Sequence, residues 1–277
     1  DDRSSYEYIW QAAIEFTDRT NALTTTQSIT TVANQTQYTL NADFLKMYLK
    51  NKDNNYYIKY NDGSTDYWPL FKEKQEIIFQ NSTASVDVPY KFYIEDDPTL
   101  DTQVTGTETV GGALSGGQCT LTDSGFDDVS AGDIVHNTTD GSSGYVLSKT
   151  SSTVLVTALF DGTENDWDAA DAYVIQPQSR LRLVLSPPPS TASHTITVYY
   201  VQRPAPVFSD YGIYRFGAQH LQAIVYYAIW LYKYRDGDPA FGDRYYKFFD
   251  TYVRKNAAQL NNALLRQNFK VNFRKRA

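Results

Sequence analysis

The sequence predicts an α+β chain: a helical bundle made of an N-terminal helix and a C-terminal helix hairpin, with an antiparallel β-domain that carries an inserted small β-domain. Three observations predict it. Apolar residues recur at helical spacing near both ends, they alternate with period two through the middle, and the composition changes abruptly between residues 102 and 176. The segments are 1–24 for the first helix, 25–101 and 177–206 for the two parts of the β-domain, 102–176 for the insertion, 207–265 for the hairpin and 266–277 for a basic arm.

In the first segment Ser4 and Glu7 have the spacing of a capping box, and Tyr6, Ile9, Ala13 and Phe16 form one apolar stripe that ends near Asn21. Short β-rich runs follow at 37–40, 56–60, 76–79 and 90–94, with Asn61, Asp62 and Gly63 supplying turn chemistry. The insertion is rich in Gly, Ser, Thr and Asp, and its own strand candidates lie at 133–136, 144–147, 154–156 and 172–175. Strong alternation then resumes at 180–185 and 195–201, on either side of Pro187, Pro188 and Pro189.

Beyond Arg203 and Pro204 the chain reads as helical. Leu221, Ile224, Val225, Ala228, Leu231 and Tyr232 form one face, which stops at Asp236 and Gly237. Asp238 caps the next helix with Pro239 in its first turn, and Phe241, Tyr245, Phe248, Tyr252 and Leu260 continue the pattern. The short loop makes the pair an antiparallel hairpin that covers the first helix. Tyr226, Tyr227, Trp230, Tyr234, Tyr246 and Phe249 lie outside these stripes, a surplus that neighbouring subunits would cover and that a thick core would also absorb.

Composition narrows the chemistry. With one cysteine, Cys119, there is no intramolecular disulfide and no thiolate zinc site, and no apolar run is long enough to span a bilayer. No signal peptide is visible before Asp1. His136, His194 and His220 stand in no catalytic motif, Cys119 has no basic neighbour, and the glycine pairs at 111–112 and 116–117 precede a strand-like run, not a helix. The expectation is a non-enzyme with no cofactor and no metal. Acidic residues from Asp161 to Asp168, and Asp53 with Asn54 and Asn55, offer oxygens for a hard cation but match no full calcium loop, so solvated turns are expected. Asn-x-Thr triplets begin at Asn34, Asn81 and Asn137 and carry little weight as glycosylation sites.

Charge is divided unevenly. The net charge is −7, yet from Thr251 onward there are seven basic residues and no acidic ones, which leaves the first 250 residues at −14. In the arm, Phe269, Val271 and Phe273 alternate with Lys270, Asn272 and Arg274, and Arg266, Lys275 and Arg276 add charge. That alternation suits a strand or wedge in a protein groove better than a phosphate surface, where apolar side chains are wasted.

Four short stretches carry a likeness: residues 9–13, 38–45, 199–204 and 236–239. In these, and in its order of helix, β-domain and helix hairpin, the chain resembles the head-to-tail adaptor (connector) proteins of tailed bacteriophages. Residues 132–140 with 167–173 resemble a small β-module recurring in phage structural proteins. The resemblance implies a virion protein of the neck, assembled in the host cytoplasm, that forms a homo-oligomeric ring of commonly twelve copies. Its implied partners are the portal protein, reached by the C-terminal arm, a tail or next neck-ring protein, and double-stranded DNA passing without sequence-specific contact; no membrane is implied. The alternative is a carbohydrate-binding module of a virion or secreted protein, with Trp68 and Trp167 as stacking rings and the Asp161 loop as a calcium site. A glycoside hydrolase with a carboxylate pair is weaker, since 32 acidic residues allow many pairs.

Overall fold

Threonine, valine and tyrosine in period-two alternation make strand the commonest regular structure of this chain. A computed structural model describes residues 2–48, 57–79, 85–97, 102–177, 180–207 and 216–266. The α+β expectation centred on a helical bundle is corrected: the chain is mainly β, with 38% strand against 24% helix, three sheets and four helices among the described residues. The strands are short and numerous, so long helical stripes at the two ends outweighed them in a reading by periodicity. Two compact units divide the chain, residues 23–214 and the two ends together, 1–22 with 215–277.

In the first unit one sheet holds β1 (Thr24–Thr30), β15 (Thr195–Gln202), β4 (Ile58–Asn61) and β5 (Asp66–Tyr67) in that order, with β3 (Phe44–Met47) also paired to β15. A second holds β2 (Gln37–Thr39), β14 (Arg180–Ser186), β7 (Lys91–Asp97) and β6 (Leu70–Phe71). All neighbours are antiparallel except β6 and β7. Tyr38, Phe92, Leu183 and Leu185 from the second sheet share one core with Ile58, Tyr60, Ile196 and Val198 from the first, so two inner faces make a sandwich. The run 76–79, expected as a strand, belongs to the helix α2 (Lys74–Phe79). Its apolar stretch is too short for periodicity to decide, and helix formers with a Lys72–Glu76 pair at 3.2 Å favour the turn.

Asp97 of β7 lies opposite Arg180 of β14, so the chain leaves and returns at one hairpin end. Between them stands a six-stranded sheet ordered β8 (Val104–Thr107), β13 (Ala172–Gln176), β10 (Ile134–Asn137), β11 (Ser142–Ser151), β12 (Val154–Phe160) and β9 (Cys119–Thr122). It curls until its end strands meet. The buried Glu108 carboxylate accepts the N–H groups of Val110 and Gly111, each at 3.0 Å, and of Thr122 at 2.5 Å, while Thr109 N–H reaches Thr122 O at 3.0 Å. Leu121, Phe126, Val135, Leu155, Trp167, Tyr173 and Ile175 fill the interior. Arg180 fastens this sheet to the sandwich by bonding Asp128 O and pairing with the buried Asp133 at 3.3 Å.

In the other unit α1 (Asp2–Thr20), α3 (Ala218–Arg235) and α4 (Pro239–Arg266) pack side by side. Ser4 and Glu7 lie inside α1, which already runs from Asp2, so they form no cap. Gly237, at φ 80°, ends α3: Asp238 N–H reaches back to Lys233 O at 3.1 Å. Asp238 then opens α4, its carboxylate accepting Phe241 N–H at 3.3 Å.

Gly144 tests the curled sheet. A Cβ there would run into the Ala158 carbonyl across the β11–β12 ladder. Gly144→Ala is expected to cost about 2 kcal/mol or more, read as a lower midpoint in denaturant with an unchanged slope.

Candidate functional site: the outer face of two helices

Small residues decide which side of each terminal helix turns inward. Ala12 and Ala13 of α1, Ala223 of α3 and Gly242 of α4 are buried, and a Cβ on Gly242 would stand 3.4 Å from both Trp230 and Lys233 side chains. Around this close approach the rings of Tyr227 and Phe249 lie 4.7 Å apart, Tyr227 and Trp230 5.0 Å, and Trp230 and Tyr246 5.0 Å. Arg19 completes the cluster: it donates to the Tyr246 hydroxyl at 3.0 Å, lies over the rings of Tyr246 and Phe249, and pairs with Glu15 at 2.5 Å and Asp250 at 3.6 Å.

The structure does not separate the two sides as the sequence pattern does. Of the six residues assigned to subunit packing, Phe249 is fully buried, while Tyr226, Tyr227, Trp230 and Tyr246 are half-buried in ring contacts within the unit; Tyr234 alone is well exposed, at 64%. The stripe expected to face the core is only partly enclosed: Ile224 is buried, Ala228, Leu231, Tyr245 and Tyr252 are half-buried, and five described members lie open. Leu221, Val225 and Tyr232 on α3 and Phe241 and Phe248 on α4 are between 40% and 53% exposed.

Both helices are apolar on more than one side, so periodicity does not tell inside from outside. The signal was the placement of alanine and glycine. The Tyr226 ring of α3 packs on α4, 5.4 Å from Phe248, 6.1 Å from Tyr245 and 6.0 Å from Tyr252. Cations border the face: Lys233 lies over Tyr232 and Phe241, and Arg244 over Phe248.

Of the arm residues, Phe269, Lys270, Val271, Phe273, Arg274, Lys275 and Arg276 lie outside the described residues; the backbone of Arg266 ends α4. No known protein-family model matches the chain, and no curated protein matches it significantly.

The other candidates fall into structural roles. Trp167 is buried and donates its indole N–H to Thr157 Oγ1 at 2.9 Å, which leaves no ring face for a sugar. The acidic loop is tied internally, by Asn165 to Gly162 N–H at 3.1 Å and by Asp171 to Asp168 N–H at 2.8 Å. Among the described residues no three His, Cys, Asp or Glu side chains gather to hold a metal. Asp53 and Asn81 lie outside the described residues, and Asn137 is buried, its amide donating to Asp140 and Asp171. Cys119 is buried against Thr157, and burial pushes its thiol up to about 11.

Each histidine has a neighbour that accounts for it. His136 meets Ser143 at 2.9 Å as a cross-strand pair, His194 meets the Tyr60 hydroxyl at 2.8 Å, and His220 packs on Phe16. No described helix is long and apolar enough to cross a membrane.

Burial holds the His220 imidazole below its ordinary range. The unfolded chain therefore takes up this proton more readily, and the stability of the helical unit is full above about pH 6.5 and falls as the pH drops through that value. Thermal unfolding followed by circular dichroism at about pH 7.5 and pH 5.5 is expected to show the loss, and His220→Phe to reduce it.

Proposed function

We propose that this chain is a structural assembly protein of a virion neck, a head-to-tail adaptor that forms a homo-oligomeric ring between the portal and the tail. One observation carries the reading: five large apolar side chains, Leu221, Val225 and Tyr232 on α3 with Phe241 and Phe248 on α4, are left between 40% and 53% exposed by their own unit. Scattered apolar residues are ordinary on a surface, but five large ones on one pair of packed helices, bordered by Lys233 and Arg244, have the make-up of an interface core with a charged rim. A second copy is the occupant. Head-to-tail contacts between identical chains close into a ring when the rotation per copy divides a full turn.

Charge supports the same reading. The first 250 residues carry −14, which suits a channel wall that lets double-stranded DNA slide without gripping phosphates. The short sequence likenesses at 9–13, 38–45, 199–204 and 236–239 point the same way. The arm, with its alternating phenylalanines and cations, is offered to a groove on another polypeptide.

Native mass measurement of the full chain is expected to give a multi-copy ring. Val225→Glu with Phe248→Glu, both already exposed, is expected to leave the circular dichroism spectrum unchanged and to return a single copy. A double variant that assembles like the parent would remove the helical face from the assembly.

A further inference from the structure

The sandwich has an open flank. β5 ends one sheet and β6 the other among the described residues, and only Trp68 and Pro69 separate them. Leu70 N–H reaches Tyr90 O at 3.0 Å and Lys72 N–H reaches Phe92 O at 2.9 Å, so strand alternation turns the N–H and C=O of Phe71 away from β7. Beside this edge lies a cleft of ≈ 320 Å³ lined by Tyr57, Leu70, Phe71 and Lys72. Leu70, Phe71 and Tyr90 are each about half exposed, and Phe71 rests edge-on against Phe92 at 5.5 Å.

We propose that this edge receives the arm, residues 267–277, of a neighbouring copy as an added strand. The inference rests on the self-assembly reading. An end strand with outward main-chain groups beside an apolar cleft takes an extended segment, which a helix is not, because only an extended segment brings its own N–H and C=O groups into register.

The sequence of the arm has the alternation such a segment needs. In an extended conformation Phe269, Val271 and Phe273 would share one side, with alternate side chains about 6.7 Å apart, and Lys270, Asn272 and Arg274 the other. Eleven residues follow Arg266, and fully extended they span about 36 Å, enough to leave one molecule and lie across the next. Charge agrees with the pairing: the arm brings four cations and no acid to a body at −14. Lys72, the cation in the cleft, is already paired with Glu76.

Cys119 is the only cysteine and is buried, so introduced thiols report the contact cleanly. Full-length Leu70→Cys and full-length Val271→Cys are mixed and mildly oxidised. The expected result is a mixed disulfide about tenfold or more above that formed by Val110→Cys, an exposed position on the curled sheet, because docking raises the effective thiol concentration to about millimolar. Adding Phe71→Glu to the Leu70→Cys chain is expected to return the yield to the control.

Two results overturn the proposal. A yield equal to the Val110→Cys control from chains that native mass shows in rings removes the arm site and leaves the ring. The same yield from chains that remain single removes both.

Discussion

The buried side of three packed helices sets the surface of the terminal unit. Ala13, Ala223, Phe16 and Phe249 are buried, Gly242 sits where an added Cβ would meet Trp230 and Lys233, and Arg19 is held between Glu15, Asp250 and two aromatic faces. A helix has only one circumference. Once one side is committed to that packing, Leu221, Val225, Tyr232, Phe241 and Phe248 must face outward, whatever their hydrophobicity. The open stripe is thus the geometric complement of a tight seam, and self-assembly is the reading that gives it a partner.

The curled six-stranded sheet works by a different constraint. A sheet that bends until its ends meet leaves backbone donors unpaired at the join, and burying them bare would cost about 1–3 kcal/mol each. Glu108 accepts three of them. Asp123 does similar work nearby: burial pushes its carboxyl up, but bonds from Ser124 N–H, the Tyr173 hydroxyl and Thr107 N–H outweigh this and hold it below the usual carboxylate range. Glu108 and Asp123 are thus acceptors built into the fold, whereas Asp161, Glu164 and Asp168 of the acidic loop are exposed.

Much of the strand content was legible. The alternation at 195–201 falls within β15, which buries nearly every second side chain, while that at 180–185 falls within β14 and the run at 154–156 within β12, each of which also buries three successive residues. The turn residues Gly237 and Asp238 stop and start the helices where the sequence places them, since positive φ and side-chain capping are local properties. What was not legible is non-local. The overall class was misjudged because many short strands give a weaker periodic signal than a few long helices. The run at 76–79 is helical because its neighbours, not its own three apolar residues, decide. The inner side of α3 and α4 is not legible because an apolar pattern that covers more than one face does not say which residues meet a neighbouring helix.

The opposition of Asp97 and Arg180 has a wider consequence. Topologically, everything between them is one oversized hairpin loop, and its first and last strands, β8 and β13, are themselves ladder partners. A segment whose two ends emerge one strand spacing apart can be gained, exchanged or lost as a cassette during evolution while the sandwich keeps its register. The body and the cassette are therefore free to diverge at different rates.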